Sequence, residues 1–84
     1  KIMINDAKVI EIISDALKLE KGSVSMNSSS QNTEEWDSLA HLSILVALDR
    51  YLEGRASKLT NLATATSVKA ILEVFAKHGL RSDD

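Results

Sequence analysis

The chain has 84 residues, enough for one domain, 1–84, and too few for two. Ten Lys and Arg stand against twelve Asp and Glu, a formal charge of −2, which argues against a nucleic-acid binder with its concentrated basic face. The absence of cysteine excludes a disulfide framework and a Cys-based zinc site.

No apolar run approaches the length of a membrane span and no signal-peptide pattern precedes the first helix, so a cytoplasmic protein without membrane association is expected. The chain begins at Lys1 rather than Met, which fits a trimmed terminus or an excised domain equally. Aromatic residues make up only 4%, so the core is expected to be built from Leu, Ile, Val and Ala.

The first helix is expected over Asp6 to Leu19, where Val9, Ile10, Ile13, Ala16 and Leu17 form one apolar stripe. Asn5 or Asp6 can cap it, and Gly22 follows its end. Gly22 to Glu35 is a long polar connection rich in Ser and Asn, with Val24 and Met26 as tethers to the core. A loop of this length in a small domain is either functional or a flexible linker.

The second helix is expected over Ser38 to Glu53, with Ser38 as N-cap and Gly54 as stop. Its residues Leu39, Leu42, Leu45 or Val46, then Asp49 or Leu52, recur at three- and four-residue steps, a helical stripe. A short third helix is expected near Ser57 to Leu62. Thr66 or Ser67 caps the last helix, whose stripe is Val68, Ile71, Leu72 and Phe75. His78 suits the negative end of that helix, Gly79 a left-handed position after it, and Leu80 the accompanying apolar contact. Arg81 to Asp84 reads as a frayed tail. No segment alternates with a period of two, so the class is all-α.

Ser38 ends the polar run and opens the apolar one, which places a hydroxyl at the positive end of a helix dipole beside free backbone N–H groups, a favourable place for a phosphate. The stretch Trp36-Asp37-Ser38-Leu39, followed by Leu42 to Leu48, resembles the modification site of the acyl carrier and peptidyl carrier protein family. The flanking segments match that family in order and length over nearly the whole chain.

The resemblance implies a four-helix carrier-type bundle: three main helices, one short helix and a long first loop. It implies 4′-phosphopantetheine, taken from coenzyme A, attached to Ser38, with Asp37 helping the modifying transferase dock and Leu39 beside the arm. It implies a non-catalytic, monomeric carrier of thioester-bound acyl or aminoacyl groups. Its partners would be a phosphopantetheinyl transferase, an activating enzyme, and acyltransferase or synthase enzymes. The missing cysteine is consistent with this, because the sulfur comes with the cofactor.

Two departures stand out. Glu35 occupies the position where the family often has glycine, and Arg50 and Ser43 stand where acids are usual on the second helix. A less charged docking face, with Ala40, His41 and Ser43 exposed, is expected instead. Trp36, the only Trp, is expected to anchor the long loop. His41 lies one turn from Ser38 but without a cleft, so a Ser–His nucleophile is not expected. His41 and His78 are isolated and suggest no metal site. The contrasting reading is an unmodified helical interaction module in which Ser38 is only a cap.

Overall fold

The computed structural model describes residues 2–83. It contains three α-helices, α1 (Asp6–Ala16), α2 (Ser38–Tyr51) and α3 (Val68–Lys77), and two 3₁₀ segments, Ala56–Lys58 and Thr60–Thr64. Among the described residues there is no strand, only isolated bridges pairing Ile4 with Arg81 and Ser29 with Ser67. The fold is therefore all-α.

One apolar core joins the elements. Val9 and Ile13 enter it from α1, Ile44, Leu48 and Leu52 from α2, and Val68, Ile71, Leu72 and Phe75 from α3. Leu62 of the second 3₁₀ segment closes it. Among the described residues, Phe75 and Trp36 are the Phe, Tyr or Trp members of this core, and Tyr51 is exposed.

The three helices end alike, and the manner of ending corrects two expected boundaries. After α1, Lys18 adopts a left-handed conformation (φ 60°), and the Lys18 and Leu19 N–H groups return to the carbonyls of Asp15 and Ser14 at 3.1 and 3.0 Å. That pair of bonds is a Schellman cap, so the helix stops at Ala16 rather than Leu19. The reversal tucks Leu17 into the core, and Ser14 Oγ donates to the Leu19 carbonyl at 3.1 Å. After α2, Glu53 (φ 55°) takes the same position ahead of Gly54, whose N–H bonds to the Asp49 carbonyl at 2.9 Å. After α3 the left-handed residue is Gly79, and Leu80, buried, bonds to the Phe75 carbonyl at 2.9 Å, as expected. Asn5 and Ser67 cap α1 and α3 at their starts.

The short third helix expected near Ser57 to Leu62 takes the form of two 3₁₀ segments, Ala56–Lys58 and Thr60–Thr64, divided at Leu59. Local side chains compete for this backbone. Asp49 Oδ1 accepts from the Ser57 N–H at 2.7 Å, Ser57 Oγ donates to the Gly54 carbonyl at 3.0 Å, and Thr64 Oγ1 donates to the Asn61 carbonyl at 3.3 Å.

The long loop is tied down rather than free. Ser28 Oγ accepts from the Ser25 N–H at 2.9 Å, and Asn32 Oδ1 accepts from the Ser29 N–H at 2.9 Å. The Ser28 carbonyl then takes the Val68 N–H at 3.0 Å, one of the orphan donors at the start of α3. Val24 is buried and Met26 packs partly against the core, so both expected tethers hold.

The expected frayed tail is held at its first residues. Arg81 makes a two-pronged ion pair with Asp6 at 2.9 and 2.8 Å, and the Ser82 N–H bonds to the Ile4 carbonyl at 2.9 Å. Asp84, the last residue of that expected tail, lies outside the described residues.

Candidate functional site at the start of α2

Asp37, not Ser38, is the N-cap of α2. Its backbone is extended (φ −100°, ψ −175°) and its Oδ1 accepts the Ala40 N–H at 2.8 Å. Ser38 is therefore the first helical residue. A carboxylate serves the cap as well as a hydroxyl does, and its charge also complements the helix dipole.

With Asp37 as the cap, Ser38 is left free. It is exposed, and among the described residues its Oγ makes no hydrogen bond. The Ser38 and Leu39 N–H groups also have no protein acceptor among the described residues, as the first turn of a helix leaves them. A free hydroxyl beside two unclaimed donors is suited to carry a phosphodiester, so the residues present fit the group implied by the resemblance.

Leu39 is 75% exposed, Leu42 59% and Val46 56%. Of the expected stripe, Leu52 is in the core and Leu45 packs partly against it, whereas Leu39, Leu42 and Val46 face outward. At about 100° per residue, the inward face of α2 is instead His41, Ile44, Leu48 and Leu52. Leu39, Leu42 and Val46 stand roughly 100–160° away from His41 around the axis. A helix with apolar residues on two faces shows the core no unique side; packing against α1 and α3 selects it.

Expected on an exposed docking face, His41 is buried, while Ala40 is half-buried and Ser43 alone of the three is exposed. Trp36, also buried, donates its indole N–H to His41 Nδ1 at 3.0 Å. The two rings lie 22° from parallel with centroids 6.1 Å apart, the side-by-side placement that an in-plane N–H···N bond requires. With Nδ1 accepting, His41 Nε2 carries the proton and donates to the Leu62 carbonyl at 2.9 Å. Both ring nitrogens are engaged, so His41 is not a base for Ser38. Trp36 anchors the end of the loop, as expected, and does so through His41. The sequence signal for this pair was an isolated Trp and His five residues apart.

A groove of about 370 Å³ lies beside Ser38, lined by Trp36, Asp37, His41, Leu45 and Ala63 among others. A second, of about 310 Å³ and more apolar, adjoins it at Leu45 and Ala63 and runs toward Asp49 and Leu59 between α2 and the 3₁₀ segments. Among the described residues, no Lys or Arg lines either groove. Among the described residues no group of three or more His, Asp or Glu could hold a metal, and no helix is long and apolar enough to cross a membrane.

Comparisons with protein-family models, with curated proteins and with solved structures give no match to this chain.

Proposed function

We propose that this protein is a cytoplasmic acyl or aminoacyl carrier whose 4′-phosphopantetheine arm is attached at Ser38. The observation that supports it best is the free Ser38 hydroxyl on the first turn of α2, between the capping carboxylate of Asp37 and the exposed Leu39. When bound, the arm supplies the thiol for a thioester, which this cysteine-free chain lacks.

The chain's own residues orient and present. Asp37 holds the first turn and leaves the Ser38 and Leu39 N–H groups for phosphate oxygens. Leu39, Leu42 and Val46 offer an apolar face to a phosphopantetheinyl transferase, an activating enzyme or a synthase. In this reading the fold is a carrier-type bundle in which the two 3₁₀ segments take the place of the short third helix. Catalysis in this reading belongs to the partners.

The exposed stripe also favours a second reading, an unmodified interaction module that binds through the same face of α2. Intact mass after incubation with coenzyme A and a permissive transferase separates the two. One added phosphopantetheine on the wild type and none on Ser38→Ala is expected. No addition by several transferases, on protein with helical circular dichroism, would overturn the carrier reading.

A further inference from the structure

We propose that Thr60–Thr64 is a lid over the groove beside Ser38 and that His41 is its latch. The role given to the groove rests on the carrier reading; the latch itself does not.

The segment is bounded at both ends by breaks in the helical backbone. Leu59 (φ −97°, ψ 88°) and Ala65 (φ −85°, ψ 82°) interrupt the helical backbone on either side of it. At Ala65 the chain makes a tight inverse turn, with the Thr66 N–H bonded to the Thr64 carbonyl at 3.1 Å. Within the segment Thr60, Asn61, Ala63 and Thr64 are all exposed, and Leu62 alone is buried. Leu62 ties the segment to α2 through its side chain in the core and its carbonyl bonded to His41 Nε2, and the segment also packs on α3.

That carbonyl also accepts the Ala65 N–H at 3.2 Å, so both its lone pairs are used at the lid's far end. On the other side, Trp36 fixes the imidazole and the tautomer that donates to Leu62. The line Trp36–His41–Leu62 thus joins the residue two before Ser38 to the lid. Ala63, next to Leu62, lines both grooves where they meet at Leu45. Releasing the His41 bond frees that wall and widens the passage from Ser38 toward the apolar groove. On the carrier reading, a short acyl group on the arm would meet the apolar wall that Leu45 and Ala63 share between the two grooves, with no cationic side chain among the described lining residues.

His41 is a positioning residue in this scheme, and native-state amide exchange on the unmodified protein tests it directly. His41→Phe keeps a ring but removes both bonds. We expect exchange at Ala65 to quicken about tenfold beyond any change at the core amides of Ile13 and Ile71. His41→Gln, whose side-chain amide reaches the position of Nε2, restores protection at Ala65. Trp36→Phe, which keeps the Leu62 bond, leaves Ala65 closer to wild type than His41→Phe does.

Equal acceleration at Ala65 and the core amides in every variant would reduce His41 to an ordinary packing residue and overturn the latch. The link to the groove is read separately on protein loaded with a hexanoyl thioester. Larger methyl resonance shifts at Leu45 and Ala63 in His41→Phe than in wild type are expected, and equal shifts would overturn it. Because exchange is measured without the arm, failure of Ser38 to be modified sinks the carrier reading and leaves the latch to its own result.

Discussion

Asp37 Oδ1 accepts the Ala40 N–H at 2.8 Å, and this single bond decides which of two neighbouring residues is structural and which is free. Asp37→Ala should cost about 1 kcal/mol, the usual worth of an N-cap, whereas Ser38→Ala should stay within about 0.5 kcal/mol of wild type. Urea unfolding followed by circular dichroism checks both. A larger loss for Ser38→Ala than for Asp37→Ala would reverse the assignment of the cap.

The pair Trp36 and His41 should show energetic coupling. Truncating either to an apolar residue leaves the other with an unsatisfied buried nitrogen, a cost of about 1–3 kcal/mol. A double-mutant cycle with Trp36→Phe and His41→Leu should give an interaction energy of about 1 kcal/mol. Additive losses would mean that the hydrogen bond contributes nothing beyond the packing of the two rings.

Two helices end on left-handed residues that carry side chains, Lys18 (φ 60°) and Glu53 (φ 55°). Lys18→Gly and Glu53→Gly should each stabilise the protein by about 0.5–1 kcal/mol, because glycine removes the steric cost of that conformation. At Gly79 (φ 72°) the reverse change to Ala should destabilise. Thermal melts of the three single variants suffice, and lower midpoints for both glycine variants would contradict the caps.

The Arg81 hydrogen bonds to Asp6 hold its carboxyl below the ordinary value of 3.8, with burial opposing and the arginine charge assisting. The folded pKa is lower than the unfolded one, so the contribution to stability is present above pH 4 and lost as pH falls through the folded value. Arg81→Gln should therefore lower the melting midpoint at pH 7 and have a smaller effect at pH 2. The pair is partly exposed, so high salt should narrow the difference as well. A deficit that is the same at both pH values would exclude the ion pair as its source.

The two faces of α2 should respond oppositely. Leu48→Ala should cost about 2–5 kcal/mol, while Leu42→Ala should change stability by less than about 0.5 kcal/mol. Leu42→Asp should remain folded and slow transfer of phosphopantetheine to Ser38 by a transferase. Unfolding of Leu42→Asp would place Leu42 in the core after all.

Much of this arrangement was legible in order and type. Val68, Ile71, Leu72 and Phe75 identify α3 because a single apolar stripe leaves one way to bury it, and Gly79 marks its end because left-handed backbone favours glycine. Lys18 and Glu53 gave no such mark, since a lysine or glutamate in that conformation is imposed by the turn that buries the residues before it. The Ser and Thr of Ala56 to Thr64 warned of weak helix formation, but their hydrogen bonds to Gly54 and Asn61 depend on where the chain turns.

At the site itself, local chemistry in the sequence determined that a helix opens at Asp37-Ser38-Leu39, with a hydroxyl, a carboxylate and an aliphatic side chain at its first turn. Capping and periodicity act over four residues and need no distant partner. Tertiary structure alone decided that Leu39, Leu42 and Val46 face outward and that His41 is buried between Trp36 and Leu62. The reason is physical: α2 is apolar on two sides, and contacts with residues 21 or more positions away, as in the His41–Leu62 bond, choose which side the core receives.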